Sequence, residues 1–369
     1  MKDYMNLYFT PKAAKYIIFG GALLAQGATG GQLAVLTNAG SEIYRNYLQV
    51  KNSLDDREAY FITSADYTGG AGFEDSWGLQ YGDNAGTVGM SKGFLCAMEI
   101  LSTDQFSAFT TEKSGPQTTY QNWESRTVTP TGTEDYILIA YCLVNNNSVP
   151  EEDNVFVKVN DGTTDYGECQ IAIGDGGIAI QAESRPWSWM KRVTLSSATT
   201  YTIQVRCASG NGYYVQNGFF IAIKASEFSD NQFAESTARS LSTSTTYATK
   251  TTLAFDPTAR AEYYLLAAHY HDSASTSNRV KTKIVQGSTD IVEYTMQPPT
   301  DTQLNDFNHF WVKRIHCTGS QSITSQYARF SGTFAIGIGE SSLAVLQNVI
   351  APNVNILGST NILGSSNIL

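Results

Sequence analysis

The side chains most able to do chemistry in this sequence are four histidines, all of which lie between residues 269 and 316. His269 and His271 stand two positions apart in a strand-like run, and alternate residues of a strand project from the same face of a sheet. Neutral imidazoles bind transition metals, so this pair could hold a metal with His309 or His316 as a third ligand. The spacing does not place that third ligand, which a site needs. We therefore predict ordinary sheet positions and no metal.

Oxygen ligands for calcium are the second candidate chemistry. The acidic run Glu151-Glu152-Asp153 and the turn Asn160-Asp161-Gly162, with Asp165 after it, carry oxygen ligands of the kind that bind Ca²⁺. Solvated hairpin turns have the same composition, and we favour that interpretation. The sequence has no G-x-S-x-G elbow, phosphate-binding loop, H-E-x-x-H motif or paired-carboxylate signature. We predict that the protein is not an enzyme and has no catalytic residues and no cofactor.

Composition and charge limit the partners of the chain. Charged residues make up 16% of it, and the formal net charge is -10 at pH 7. Nucleic acids and anionic membranes attract clustered Lys and Arg, so an acidic chain disfavours both partners. The apolar stretch 17–24 has the character of a secretion signal, but it recurs later in the chain and is predicted to be a strand. No segment approaches the roughly 18 apolar residues of a spanning helix, so we expect no membrane insertion.

The cysteines form no disulfide framework. They are far apart, odd in number and without a C-x-x-C pair. We predict buried free thiols, which fit folding in a reducing cytosol. The five positions are Cys96, Cys142, Cys169, Cys207 and Cys317.

Internal repetition organises the rest of the chain. Four landmarks recur 127 positions apart in one register, which is hard to obtain by chance. They are Gln105-Phe106 with Gln232-Phe233, Tyr120 with Tyr247, Pro130 with Pro257, and Tyr136 with Tyr263. The strand that begins at the last landmark has a further copy near the start of the chain, Tyr16-Ile-Ile-Phe-Gly20. The chain is therefore predicted to hold three diverged copies of one unit.

Each copy also repeats a strand that ends in a glycine turn. The turns are Asn38-Ala39-Gly40, Asn160-Asp161-Gly162 and Val285-Gln286-Gly287. Tight hairpins need positive φ, which glycine supplies. Short β-branched and aromatic runs between such turns predict antiparallel sandwiches, as jelly rolls of about eight strands or with an immunoglobulin-like topology. Helix signals are weak, and only residues 40–56 are expected to hold a helical turn or two.

The predicted fold class is thus all-β, with three tandem antiparallel β-sandwich repeats of jelly-roll type and a short repetitive C-terminal tail. The repeats span 1–103, 104–229 and 230–341, and the tail spans 342–369.

The tail repeats the motif Asn-Ile-Leu-Gly-Ser with a period of six residues. It cannot form a core alone, but it could pair with sister chains or dock into a neighbouring subunit as an added strand. A flexible end is the alternative, because Ser and Gly spacers favour it. The predicted assembly residues are Asn355, Ile356, Leu357, Asn361, Ile362, Leu363, Asn367, Ile368 and Leu369.

Aromatic residues are abundant, with 21 Tyr, 17 Phe and 5 Trp. Those that alternate along sandwich strands usually pack in the core, whereas aromatics on loops can stack on sugar rings. Trp187 and Tyr213-Tyr214 are the candidates for such stacking.

Tandem jelly-roll-like units with a repetitive end and no recognisable secretion signal resemble the virion structural proteins of tailed bacteriophages. These include capsid decoration proteins, head fibres and tail appendages. The resemblance is architectural, and it implies assembly into a symmetric particle, commonly as a trimer. It implies a homotrimer with other virion proteins as partners, and a virion location after synthesis in the host cytoplasm without a signal peptide.

The function predicted is that of a non-enzymatic structural protein of a viral particle, which assembles through its sandwich surfaces and its tail. The alternative is a carbohydrate- or receptor-binding adhesin module, with host surface glycans as partners. A glycan binder should present coplanar aromatics on loops, whereas an assembly protein should have an ordered tail.

Overall fold

The computed structural model is built almost wholly of β-strands. It describes residues 2–9, 11, 13–26, 30–50, 57–68, 75–83, 88–101, 104–109, 112–146, 153–173, 184–208, 212–228, 230–257, 260–273, 279–296, 305–332, 335–347 and 354–358.

The strands fall into three successive sets and one final strand. The first set is β1 (Lys2–Phe9), β2 (Lys15–Gln26), β3 (Gly30–Asn38), β4 (Ser41–Val50), β5 (Arg57–Asp66), β6 (Asp75–Asp83) and β7 (Val88–Ile100). The second set is β8 (Gln105–Phe109), β9 (Lys113–Gly115), β10 (Gln121–Val128), β11 (Glu134–Asn146), β12 (Asp153–Asn160), β13 (Asp165–Ile173), β14 (Ser184–Leu195), β15 (Thr199–Cys207) and β16 (Tyr213–Lys224).

The third set is β17 (Asn231–Ser236), β18 (Ser240–Ser242), β19 (Ala248–Phe255), β20 (Ala261–Ser273), β21 (Arg279–Gln286), β22 (Thr289–Met296), β23 (Asn305–Cys317), β24 (Gln321–Ser331) and β25 (Ile336–Gln347). The final strand is β26 (Val354–Gly358). Residues 342–347, which the sequence analysis assigns to the tail, thus form the end of β25.

The strand order of the second and third sets is that of a jelly roll. The second set forms the sheets β10-β15-β12-β13 and β14-β11-β16-β8, with β9 also paired to β16. The third set repeats this order as β19-β24-β21-β22 and β23-β20-β25-β17, with β18 paired to β25. Eight successive segments that cross between two antiparallel sheets in this order define the jelly roll. The prediction of an all-β fold with three jelly-roll-like sandwiches is confirmed, and the immunoglobulin-like alternative is wrong.

The first set follows the same order with one difference at each sheet. Its sheets are β1-β6-β3-β4 and β5-β2-β7, and β26 is added outside β1. Among the residues that the structure describes, no strand of the first sandwich corresponds to β8 or β17. The first sandwich therefore combines strands from both ends of the chain.

Burial explains why some strands are continuous apolar runs and others alternate. In β11 every residue from Tyr136 to Val144 is buried, which requires an apolar residue on both faces of the sheet. In β15 buried residues alternate with partly exposed ones, because only one face of that strand meets the core.

The predicted glycine turns are confirmed at the ends of β3, β12 and β21. Gly40, Gly162 and Gly287 have φ angles of 81°, 95° and 59°, a region that glycine occupies without strain. The prediction of helical turns after Gly40 is wrong over Ser41–Val50, because this segment pairs with β3 along its whole length. The described residues hold one short 3₁₀ helix, Ala225–Glu227.

The chain divides into two compact units. One contains Met1–Ser102 and Ile350–Leu369, and the other contains Thr103–Val349. Within the second unit the two sandwiches share direct contacts. Asn308 Oδ1 accepts hydrogen bonds from Ser188 N at 2.7 Å and Ser188 Oγ at 2.9 Å, and Tyr270 Oη donates to Ser188 O at 2.6 Å. Tyr270 also belongs to the hydrophobic core of the second sandwich.

Candidate functional site

The C-terminal strand β26 pairs with the edge of the first sandwich. It runs antiparallel to β1, with Met5 opposite Gly358, Leu7 opposite Ile356 and Phe9 opposite Val354. The other side of β1 pairs with β6. The first motif of the tail thus completes a five-stranded sheet in its own chain.

The β1 segment that receives the tail is regular and uncharged. Met5, Leu7 and Phe9 are buried in the first core, whereas Asn6 and Tyr8 are partly exposed. The β1–β6 pairing shifts register between Asp3 and Met5, and the β26 pairing begins just after this shift. Five consecutive backbone positions are therefore available for an added strand.

The equivalent strand of the second sandwich carries charge where Met5–Phe9 carries none, and that of the third carries charge just before the equivalent segment, at the position of Tyr4. β10 holds Glu124 and Arg126, and β19 holds Lys250, which is only 9% exposed. Inward-pointing and charged side chains on an edge strand oppose the addition of another strand. Lys250 Nζ donates to Ala238 O and to Ser240 Oγ, and burial lowers the pKa of this lysine. In the part of the chain that the structure describes, neither β10 nor β19 has an added strand.

The predicted assembly residues are only partly within this site. Asn355, Ile356 and Leu357 lie in β26. The remaining predicted residues lie outside the described residues: Asn361, Ile362, Leu363, Asn367, Ile368 and Leu369. Their role in assembly stays a prediction.

Three of the four histidines come together in the core of the third sandwich. His269 is the direct cross-strand partner of His309 between β20 and β23, and the rings of His271 and His309 have centroids 5.1 Å apart. All three side chains are at most 2% exposed. His269 Nδ1 lies 3.1 Å from the hydroxyls of both Ser341 and Ser325.

Burial keeps His269 and His271 neutral. Desolvation, and next the neighbouring His309, lowers the pKa of His269 to about 3. The same two causes, with His269 in addition, lower the pKa of His271 far below its ordinary value. His271 Nε2 lies 3.1 Å from Thr282 Oγ1, so a neutral hydroxyl rather than a carboxylate is its hydrogen-bond partner.

The histidines do not form a metal centre with the fourth one. His316 lies 3.3 Å from Glu262, and its side chain is 40% exposed. No group of three or more His, Cys, Asp or Glu side chains is arranged to hold a metal ion within the described residues. The sequence offered His309 and His316 as partners of the pair, and the structure brings His309 to it. The matching segments Trp189-Met-Lys-Arg192 and Trp311-Val-Lys-Arg314 are a sequence signal for this choice, because they pair β23 with β20 as β14 pairs with β11.

The acidic turn considered for calcium is a hydrogen-bonded hairpin turn. Asp161 accepts hydrogen bonds from the backbone of Thr163 and Thr164 and from the hydroxyl of Tyr166. Burial alone would raise the pKa of Asp161, but the hydrogen bonds from Tyr166 and the two threonines lower it to about 2. Its carboxylate oxygens are thus occupied by the protein itself. Residues 151–152 lie outside the described residues.

A polar cluster occurs at the same position of the second and third sandwiches. Lys158 lies 3.9 Å from the ring centroid of Tyr120 and 2.7 Å from Asp165. In the third sandwich Lys283 stands 4.6 Å from the Tyr247 ring and 2.9 Å from Asp290. Because the cluster is repeated between equivalent strands, we interpret it as structural, and it explains why this tyrosine is a landmark of the repeat.

The aromatics proposed for sugar stacking are mostly core residues. Trp187 and Tyr213 are fully buried, in β14 and β16, and Tyr214 is partly exposed. Two of the three candidates therefore cannot contact a glycan without unfolding. All five cysteines are buried and free, as predicted.

The class that this strand order defines is the tandem jelly-roll protein. No protein-family model matches the chain, and no curated protein matches it. Among solved structures, it is similar to a triple jelly roll protein from the turret assembly of an archaeal virus, with 9% identity, a TM-score of 0.24 and coverage of 93% of this chain and 82% of that one.

Two further structures have a similar level of likeness. VP2 from a subviral particle of infectious bursal disease virus has 8% identity and a TM-score of 0.25, with 94% and 67% of the two chains covered. The insecticidal delta-endotoxin Cry8Ea1 of Bacillus thuringiensis has 8% identity and a TM-score of 0.19, with 94% and 54% covered. The fold assignment rests on the strand order of this chain itself. No helix of the described residues has the length and apolar character to cross a membrane.

Proposed function

We propose that this chain is a non-enzymatic structural protein of a viral particle, in a capsid decoration, fibre or tail-appendage role. It assembles through the surfaces of its sandwiches and through its C-terminal strand. Its partners are copies of itself in a homotrimer and other virion proteins, and its place is the virion.

The observation that carries this proposal is the combination of three tandem jelly rolls with a terminal strand added to the first of them. Jelly rolls occur in viral capsid proteins, lectins and cupins, so the fold alone does not decide the function. The added strand supports assembly, because strand addition at a sheet edge is a general way to join protein segments.

The polar groups of the described residues are consistent with a structural role. His269 and His271 are neutral and bonded to hydroxyls, and the lysine–aspartate–tyrosine cluster is repeated as part of the scaffold. The net charge of -10 disfavours direct contact with nucleic acid, so a position on the outside of a particle is favoured.

Light scattering on the full chain and on a version ending at Gln347 tests the assembly role. The full chain is expected to be a trimer or larger, and the truncated chain to be of lower order. Monodisperse monomers from both chains would rule out self-assembly through the tail and would direct attention to glycan arrays, where binding would favour the adhesin alternative.

A second measurement addresses the virion location. An antibody against the third sandwich is used on density-gradient fractions of an infected-cell lysate. We expect the protein in the fraction of filled particles, at a fixed ratio to the major shell protein. Recovery in the soluble fraction alone would contradict a virion role.

A further inference from the structure

The β1 edge of the first sandwich binds a short strand whose sequence occurs repeatedly in the same chain. We propose that copies of the protein exchange this strand, so that Val354–Gly358 of one copy pairs with Met5–Phe9 of a second copy. The inference rests on the proposed function and deepens it, because it names the acceptor of the tail strand and makes the partner a second copy.

Exchange preserves every pairing that the structure contains. The five opposed positions, from Met5 with Gly358 to Phe9 with Val354, are the same whether both strands belong to one copy or to two. Swapping an identical element between copies costs little for this reason, and it is a common route to oligomers. The equilibrium between pairing within one copy and pairing between two copies then depends on the local concentration of the two strands.

The connection between β25 and β26 limits how far the strand can reach. Six residues separate Gln347 from Val354. At about 3.3 to 3.6 Å per residue, this segment spans roughly 25 Å at most. A short linker gives its own strand an effective concentration on the order of millimolar. The strand of a second copy reaches a comparable local concentration only when the copies are held side by side in an assembly. Exchange is therefore expected within assemblies and not between freely diffusing copies.

The first sandwich is the acceptor because its edge lacks the features that block the others. Met5–Phe9 has no charged residue, whereas Glu124 and Arg126 of β10 stand at the positions of Met5 and Leu7. In β19 the equivalent residues Thr251–Phe255 are uncharged, and the buried Lys250 stands just before them, at the position of Tyr4. Charges at these positions disfavour strand addition. Among these three equivalent edges, one copy thus offers β1 as the acceptor together with one donor tail, as a closed ring of copies requires.

A disulfide test distinguishes pairing of β26 with β1 of a second copy from pairing of β26 with β1 of its own chain. Asn6→Cys is made in one preparation and Leu357→Cys in another, because these positions are opposite each other in the β1–β26 register. The two are mixed, assembled at high concentration and oxidised. We expect a covalent dimer on a non-reducing denaturing gel, with a yield that falls at least tenfold on dilution to a concentration where no oligomer forms.

Three controls accompany this test. The unaltered chain measures linkage through the five native cysteines, which are all buried. A mixture of Asn6→Cys with Ile356→Cys is one position out of register and should link several-fold less. A single chain with both Asn6→Cys and Leu357→Cys should link internally when dilute, which verifies the pairing itself.

The proposal is overturned if the double variant links internally while the mixed variants give no dimer in oligomers that do form. It is equally overturned if the double variant fails to link, since β26 then does not pair with β1. Oligomers without interchain linkage would leave the proposed function intact and place assembly on the sandwich surfaces. Interchain linkage without any larger assembly would support exchange and count against the virion role.

Discussion

At the scale of single residues, burial of His269 and His271 makes the stability of the third sandwich depend on pH. Their neighbours among the described residues include other histidines, neutral hydroxyls and the ring of Tyr294. Burying a charge without a compensating partner is costly, so folding holds His269 and His271 in the neutral form.

This arrangement predicts that acid weakens the third sandwich. Both histidines have folded pKa values below the ordinary 6.5, and that of His269 is about 3. Above pH 6.5 neither the folded nor the unfolded chain binds protons at these two histidines, so they do not change the free energy of unfolding. Below pH 6.5 the unfolded chain takes up about two protons that the folded chain excludes, and the free energy of unfolding falls by roughly 2.7 kcal/mol per pH unit. The loss is roughly 4 kcal/mol at pH 5 on the same basis.

Denaturant unfolding between pH 7.5 and 5 measures this slope. The double variant His269→Gln/His271→Gln should have a much flatter profile than the unaltered chain. Carboxylates with lowered pKa values, such as Asp161 at about 2, act in a separate window below about pH 4. A flat profile in the unaltered chain would contradict the neutral histidine core.

At the scale of elements, local signals in the sequence predict strands and turns, but they do not predict distant pairing. The glycine turns were predictable because positive φ leaves few residue choices, and Gly162 and Gly287 occupy that region. Strand β4 was misassigned because its outer face is solvent-exposed, as at Ile43 and Arg45, so its pattern lacks the apolar run of a buried strand.

The tail illustrates the limit of local reasoning. Its repeat predicts an added strand, yet nothing near residue 355 indicates that the acceptor lies near residue 7. Such non-local pairings depend on the whole fold, which periodicity does not encode. The choice between His309 and His316 could not be made from the sequence for the same reason, because His309 reaches His269 through the register of β20 with β23.

The pairing of β26 with β1 predicts a local change in amide exchange. Truncation after Gln347 should speed exchange by 10-fold or more at the β1 amides that face β26, within Met5–Phe9, because these groups lose their hydrogen-bond partners. Amides of β10, which has no added strand among the described residues, should not change.

Truncation after Gly358 is the matched control for this experiment, since it removes the later part of the tail and keeps β26. It should leave the β1 amides as slow as in the full chain. Equal protection of β1 in both truncated chains would mean that β26 does not hold this edge in solution.

At the scale of the whole molecule, the three repeats are not equally independent. The second and third sandwiches belong to one compact unit, in which Ser188 bonds to Asn308 and Tyr270 across the junction. An ion pair at 3.1 Å between Lys191 and Glu235 adds a contact at the same junction. Repeats that share polar and apolar contacts are stabilised by their neighbours, so their unfolding should be coupled.

The variant Asn308→Ala tests this coupling, because it removes the Oδ1 atom that accepts hydrogen bonds from the backbone N–H and the hydroxyl of Ser188. Loss of a partner for buried polar groups costs about 1 to 3 kcal/mol. If the junction couples the two sandwiches, native-state exchange should show that loss both in β11 of the second sandwich and in β20 of the third. Gln204→Ala, which removes an exposed hydrogen bond to Asn122 within the second sandwich, should change both strands little. A loss confined to β20 would mean that the sandwiches open separately, in which case the junction orients the two sandwiches without stabilising them.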